Sequence, residues 1–106
     1  MERRYDAREV LKNLIGKTIR TLTGRPNKVL GLEDDEVRVA TTRSPKGTLV
    51  PIAWVQDALD RLATDGEIEI SVESVGYRSA FVGAVLCSLD ETECSPTTMS
   101  VRLVDP

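Results

Sequence analysis

The amino-acid sequence predicts an α+β domain with a mostly antiparallel sheet and three helices, in the order α-β-β-β-α-β-α-β. Three observations carry this prediction. The chain opens with an apolar stripe of helical spacing, a stretch rich in β-branched residues with alternating polarity follows, and a later segment is apolar on nearly every side. A chain of 106 residues suffices for one hydrophobic core, so a single domain over residues 1–106 is expected.

The first helix is predicted over residues 6–15. Asp6 and Glu9 form a capping-box pattern, in which the Asp6 carboxylate accepts a hydrogen bond from the Glu9 N–H group. Gly16 follows the last helical residue, where glycine favours termination. The side chains at helical spacing that form the apolar stripe are Ala7, Val10, Leu11, Leu14 and Ile15.

Three short strands are predicted next, over residues 17–23, 29–32 and 36–41. The first is rich in β-branched residues, and the third alternates apolar with polar residues. The Arg25-Pro26-Asn27 tripeptide is predicted to form the turn between the first two strands, because proline presets one turn position and asparagine tolerates positive φ. These strands are expected to form an antiparallel meander.

The second half predicts a helix over residues 51–64 that ends at Gly66, with proline in its first turn. A strand over 67–72, a buried helix over 80–89 and a last strand over 100–104 follow, with a loop between the last two elements. The inward side chains of the strand over 67–72 are expected to be Ile68, Ile70 and Val72.

Several classes of active site are excluded by composition. The chain has no histidine, so it cannot build a Ser-His-Asp or Cys-His pair or a His-ligated zinc site. Two cysteines are too few for a structural zinc centre, and both are predicted to be reduced thiols, with Cys87 buried. We therefore predict a binding module without catalytic residues, metal or cofactor.

The membrane and the secretory pathway are not expected for this chain. Its longest apolar run, Ala80–Cys87, is too short to span a bilayer, and its first residues lack a secretory apolar region. A cytoplasmic location is therefore predicted.

Charge is distributed unevenly along the chain. Residues 1–46 carry a net charge of +4, whereas residues 47–106 carry −7. The simple interpretation is a chance division on a solvated surface. The alternative is that the folded domain presents the basic segment as one face toward a polyanion.

Two basic turns are the first candidate sites. The Gly24–Asn27 turn can be an ordinary hairpin turn with a solvated arginine, or it can aim Arg25 and Lys28 at phosphates. The loop over residues 41–48 combines Arg43 and Lys46 with hydroxyl side chains, which supply hydrogen bonds to phosphate oxygens or to base edges. An ordinary Ser-Pro turn is its simpler interpretation.

Two other segments can contact a ligand. Trp54 lies off the apolar stripe of its predicted helix, so it is either a partly buried core residue or an exposed stacking surface. Tyr77, Arg78 and Ser79 precede the buried helix. One interpretation is that Ser79 caps that helix and Tyr77 packs at the edge of the core. The other is that Arg78 and Tyr77 contact a ligand and are held rigidly by the helix that follows.

Four motifs in order now stand together: Gly24-Arg-Pro-Asn27, Arg43-Ser-Pro-x-Gly47, Val50-Pro-Ile-x-Trp-Val-Gln-x-Ala-Leu-Asp60 and Gly76-Tyr-Arg-Ser-Ala-Phe-Val-Gly-Ala-Val-Leu86. As a set they resemble the N-terminal DNA-reading domain of actinomycete HNH-type, modification-dependent (type IV) restriction endonucleases. The resemblance runs from about Arg20 to Leu89. It implies binding of double-stranded DNA that contains 5-methylcytosine, with cleavage by a separate C-terminal HNH nuclease domain, through which a homo-oligomer can form. An HNH site needs histidines, which this chain lacks.

The residues themselves then suggest two groups of contacts. The predicted DNA-backbone contacts are Arg20, Arg25, Lys28, Arg43, Ser44 and Lys46. The predicted modified-base contacts are Trp54, Tyr77, Arg78 and Ser79. Two modes of readout stay open, namely base flipping of the modified cytosine into a pocket, and contact with its methyl group in the major groove. A function of another class, a protein-interaction domain that uses the acidic second half, is the alternative.

Overall fold

Four antiparallel strands form the first sheet of the computed structural model, which describes residues 5–75 and 78–104. The strands, in order across the sheet, are β1 (Thr18–Arg20), β2 (Pro26–Glu33), β3 (Glu36–Ala40) and β4 (Thr48–Pro51). Alternation along each strand turns one row of side chains inward. This inward row is mostly apolar and buried, and it contains Ile19, Val29, Val37, Val39 and Val50.

Helices α1 (Ala7–Leu14) and α2 (Ile52–Asp65) contact each other, and one polar side chain of α2 bonds to the beginning of α1. The Gln56 side chain accepts a hydrogen bond from the Ala7 N–H group at 2.8 Å and donates to the Tyr5 carbonyl oxygen at 2.9 Å. The segment from Tyr5 to Ala7 is thereby held against α2. Gly66 ends α2 in the left-handed conformation, with φ of 79°, as the sequence predicts.

The second sheet has three antiparallel strands, β5 (Glu67–Glu69), β6 (Thr92–Ser95) and β7 (Ser100–Leu103), with β7 in the centre. A single-turn helix, α3 (Val72–Val75), and the helix α4 (Ser79–Cys87) connect β5 to β6. Helix α4 is buried over six consecutive residues, and it contacts α2 and strands of both sheets. The prediction of a buried helix in the middle of the domain is therefore confirmed.

The predicted fold class is confirmed. Three helices of more than one turn alternate with antiparallel strands in approximately the predicted order. The buried side chains of both sheets and of α1, α2 and α4 belong to one hydrophobic cluster. Within the described residues, no helix has both the length and the apolar character that crossing a membrane would require.

Several local predictions were wrong. Pro26 and Asn27 belong to β2 instead of a turn, because the chain already reverses at residues 21–25. The segments that form β4 and β6 were predicted as a loop or as the start of a helix. Each strand is short and is stabilised by pairing with a neighbouring strand, so its own residues give little signal. Val72 is 65% exposed because it begins α3 instead of extending β5. Asp6 caps α1 through the N–H group of Arg8 and not through the predicted Glu9.

The two cysteines are also not the reduced thiols that the sequence predicts. Cys87 and Cys94 form a disulfide across seven positions of sequence, with their Cα atoms 5.9 Å apart. Cys87 ends α4 and is half-buried. Strand β6 folds back beside this end of α4 and brings Cys94 next to it. The pairing thus depends on a strand that the sequence did not predict.

Candidate functional site

A cavity of about 460 Å³ lies where the end of the first sheet meets the beginning of α4. Its volume is in the range that small-molecule sites occupy. Three separate segments surround it, namely the β1–β2 turn, the β3–β4 loop and the first residues of α4. The lining residues are Thr21, Arg25, Pro26, Asn27, Thr41, Thr42, Arg43, Arg78, Ala80 and Phe81.

The β1–β2 turn presents Arg25 to the cavity. Thr21 closes this turn, because its N–H group donates to the Arg25 carbonyl oxygen at 2.9 Å and its Oγ1 accepts from the Arg25 N–H group at 3.0 Å. Gly24 has φ of +88°, a conformation that glycine adopts without steric cost. The backbone of Arg25 is therefore held on both sides while its side chain is exposed.

The β3–β4 loop presents Arg43 in a similar way. Thr41 and Ser44 exchange backbone hydrogen bonds of 3.1 and 3.2 Å across Thr42 and Arg43. The Oγ1 atom of Thr41 also accepts from the Ser44 N–H group at 3.1 Å. Arg43 therefore projects from the tip of a closed turn, and its side chain is exposed.

The inner wall of the cavity continues the inward row of the first sheet. Asn27 is only 5% exposed and takes the inward position next to buried Val29 on β2. The β2–β3 register pairs Lys28 with Ala40, so its continuation sets Asn27 opposite Thr41. Where the inward row reaches the cavity, polar side chains thus occupy the positions that valines occupy elsewhere in the row.

The beginning of α4 forms the remaining wall. Arg78 is the N-cap residue of this helix, and it has the left-handed backbone conformation with φ of 69°. The Arg78 side chain makes no capping hydrogen bond. Ala80 and Phe81 of the first turn line the cavity, where helix N–H groups have no intrahelical acceptor. Phe81 is 1% exposed, so it contributes to the core and to the cavity at once.

The charge of this cavity is strongly positive. The lining residues that the structure describes include three arginines and no carboxylate. Arginines elsewhere in the described chain, such as Arg38 and Arg102, form ion pairs with glutamates. Among the described residues, none of the cavity arginines forms an ion pair. Their charge is therefore not neutralised by a carboxylate of the described chain.

A second cavity of about 440 Å³, between α1 and α2, has the opposite character. Asp6, Asp57 and Asp60 line it together with Arg8. Three carboxylates around one cation disfavour an anionic ligand. The two cavities therefore differ in the charge of the ligand that each would accept.

The structure brings together Arg25, Arg43 and Arg78 of the predicted contacts. Arg20 stands at the base of the same β1–β2 turn, where its guanidinium donates to the Gly24 carbonyl oxygen at 2.9 Å. Lys28 is exposed and points away from the inward row of its strand. The remaining predicted backbone contacts, Ser44 and Lys46, belong to the β3–β4 loop but do not line the cavity.

The predicted base contacts are more dispersed. Trp54 is 38% exposed on the first turn of α2, so it offers an open ring surface, but it does not line the cavity. Ser79 is the first residue of α4 and is half-buried beside the cavity wall. Tyr77 lies outside the described residues. In the described chain, Arg25, Arg43 and Arg78 therefore converge on one cavity, and Trp54 does not line it.

Sequence reasoning missed Asn27 as a cavity residue. It identified this asparagine as part of a turn, although Asn27 and Val29 already alternate in the pattern of one strand face. A polar residue in an inward position was the signal that could have revealed it. Thr21, Thr41 and Phe81 carried no comparable signal, because hydroxyl and aromatic residues are common at strand ends and in cores.

Among the described residues, the pair whose pKa values are shifted is Glu33 and Arg38, and it lies outside the cavity. The Arg38 guanidinium donates hydrogen bonds to the Glu33 carboxylate, one of them 3.2 Å long from Nη2 to Oε1. This hydrogen bonding lowers the pKa of Glu33 and raises the pKa of Arg38. Both residues lie on the β2–β3 hairpin, so the pair stabilises the sheet that carries the cavity.

Neither metal ligands among the described residues nor similarity to a known protein assigns a function to the cavity. Within residues 5–75 and 78–104, no group of three or more Cys, Asp or Glu side chains is arranged to hold a metal ion. Comparisons of the chain with protein-family models, with curated proteins and with solved structures found no match.

Proposed function

We propose that this chain binds double-stranded DNA that contains 5-methylcytosine, as the modification-reading module of a type IV restriction endonuclease. In this proposal it acts in the cytoplasm, does not cleave DNA itself, and depends on an HNH nuclease domain elsewhere in the full protein. The family resemblance of its four motifs supports the modification-reading role. The arginine-lined cavity supports binding of a polyanion.

A single observation carries the proposal: three arginines from three separate segments meet at one cavity without ion-pair partners among the described residues. Other arginines of the described chain pair with carboxylates, as Arg38 does with Glu33. Guanidinium groups bind phosphate oxygens through paired hydrogen bonds, which makes arginine a common residue at DNA backbones. The cluster therefore favours DNA over a protein partner of mixed charge.

Binding of duplexes to arginine variants tests the proposal. Arg25→Ala, Arg43→Ala and Arg78→Ala should each weaken binding of methylated and unmethylated duplexes alike. For Arg78 this proposal replaces the predicted base contact with a backbone contact, because Arg78 lines the same cavity as Arg25 and Arg43. Each substitution should also lower the slope of log affinity against log salt by about one, because one phosphate contact is lost. Arg102→Ala is the matched control, since Arg102 lies on the second sheet and is paired with Glu93. Mobility-shift titration over a range of salt concentrations supplies both quantities.

Retardation of no duplex at low salt would overturn the proposal and favour the protein-interaction domain. Equal losses in the three cavity variants and in Arg102→Ala would also overturn it, because they would indicate general charge attraction.

Recognition of the modified base is assigned to Trp54, whose exposed ring lies outside the cavity. Trp54→Ala should lower the ratio of affinities for methylated and unmethylated duplexes, because apolar contact with the methyl group is lost. Leu49→Ala is the control, since Leu49 is 39% exposed and Trp54 is 38% exposed. An unchanged ratio in Trp54→Ala would remove this residue from base recognition while leaving the arginine results intact.

A further inference from the structure

Asn27 is a buried polar side chain without an evident partner. It is 95% enclosed, in line with Ile19 and Val29 on the inward face of the sheet. In the described part of the chain, its carboxamide forms no hydrogen bond with another residue. Buried polar groups are nearly always hydrogen-bonded, so an exception calls for a physical reason.

The carboxamide is open to the cavity and not sealed in the core. Among the described residues, the side-chain polar atom that is both fully enclosed and without a hydrogen-bond partner is Oγ1 of Thr48. The polar atoms of the Asn27 side chain also lack partners among these residues, so they are not fully enclosed. Asn27 lines the same cavity as the three arginines. Its amide group is therefore available to whatever occupies the cavity.

The other groups at the cavity are chiefly donors and cations. Arg25, Arg43 and Arg78 supply guanidinium groups, and the first turn of α4 supplies N–H groups with the positive end of the helix dipole. The threonine hydroxyls can donate as well. A ligand with several oxygen acceptors and a negative charge satisfies all of these groups together.

We infer that the cavity binds a phosphate-type oxyanion, with the Asn27 amide donating to an anionic oxygen from the inner wall. The arginines hold the remaining oxygens from the rim. If the proposed function is correct, the occupant is one phosphodiester group of the bound duplex, and this part of the inference rests on that function. A free phosphate ion is the other source of the same chemistry.

The first experiment uses inorganic phosphate as the probe and backbone NMR signals as the readout. Saturable shifts should be confined to the cavity, with Asn27, Thr41 and Ala80 among the affected signals. Asn27→Asp should weaken phosphate binding by about tenfold or more, which corresponds to the loss of one charge-assisted hydrogen bond. Asn13→Asp adds the same charge on the exposed face of α1 and should bind phosphate as the unmodified protein does.

Because Asn27 is buried, exposed Arg25 provides a second variant that leaves the core intact. Arg25→Ala should weaken phosphate binding by a similar factor, and thermal melting of each variant checks its fold. Shifts that do not saturate, or equal phosphate affinities of the unmodified protein and a folded Arg25→Ala variant, would overturn the inference.

Competition then identifies the source of the phosphate group. Displacement of a duplex by inorganic phosphate, more readily than by chloride at equal ionic strength, supports the phosphodiester. Phosphate binding without competition supports the oxyanion site but overturns the duplex as its occupant. If the proposed function alone fails, no duplex binds while the phosphate titration is unchanged. If this inference alone fails, duplexes bind and the cavity shows no saturable phosphate site.

Discussion

Gly83 on α4 packs so closely against Ile70 that a Cβ atom at position 83 would lie 2.8 Å from the Cγ2 atom of Ile70. Ile70 follows β5, so this contact fixes the distance between α4 and the second sheet. The first turn of the same helix forms one wall of the cavity. Close packing at Gly83 therefore helps to position Arg78 opposite the turns of the first sheet.

Gly83→Ala should lower the free energy of unfolding by about 1–2 kcal/mol, because overpacking exceeds the gain in helix propensity. Ile70→Ala removes both Cγ atoms that the new methyl group would meet, so the same substitution should be neutral or stabilising in that background. Urea denaturation of the two single variants and the double variant measures this coupling. An equal cost of Gly83→Ala in both backgrounds would contradict the proposed contact.

Arg78 combines a strained backbone with a cavity side chain, so two substitutions separate these roles. Its φ of 69° is one that glycine adopts readily. Arg78→Gly should therefore be about 1 kcal/mol more stable than Arg78→Ala by thermal denaturation. The two variants should lose duplex affinity equally, because both lack the guanidinium.

Met99 provides the control for this comparison, since it has φ of 49° and does not line the cavity. Met99→Gly should retain duplex affinity. If Arg78→Gly bound duplexes as the unmodified protein does, Arg78 would have only a backbone role.

Reduction of the Cys87–Cys94 disulfide should lower stability without affecting the cavity. Closing this short loop contributes about 2–3 kcal/mol in the chain-entropy description, which corresponds to roughly 10 °C or more in Tm for a domain of this size. Cys87 ends a nine-residue helix whose first turn lines the cavity, so the disulfide lies about 12 Å along the helix from the cavity. Duplex affinity below the melting range should therefore be unchanged by reductant.

A protein with both cysteines replaced by serine should show the lower Tm and no response to reductant. A loss of duplex affinity in either the reduced protein or this variant, while it remains folded, would show that the disulfide does influence the cavity.

The Glu33–Arg38 pair should make a small, pH-dependent contribution to stability. The pKa of Glu33 is lowered in the folded protein, mainly by the hydrogen bond from Arg38. Its stabilisation is therefore fully present above the unfolded pKa of glutamate and is lost as the pH falls through the folded value. Glu33→Gln should be less stable than the unmodified protein at neutral pH and equally stable in acid.

Urea denaturation across this pH range, at low salt, measures the difference. Glu69→Gln removes an exposed carboxylate from β5 and serves as the control. A stability difference for Glu33→Gln that persists unchanged into acid would mean that the carboxylate charge is not its source.

The regular elements were predictable because their signals are local. The alternation of Val37 and Val39 identified β3, and the glycine at position 66 identified the end of α2. The apolar character of residues 81–86 on every side identified α4 as buried. Each of these signals depends on a few neighbouring residues, whose spacing alone determines which face is buried.

Pairing between distant segments decided the elements and contacts that the sequence did not predict. Neither β6 nor the disulfide at Cys94 was predictable, since each needs a neighbour that is remote in sequence. The sequence by itself determined the fold class and the basic character of the turns at Arg25 and Arg43. Only the tertiary structure decided that these arginines meet Arg78 and Asn27 at one cavity, because packing α4 against the end of the first sheet brings the three segments together.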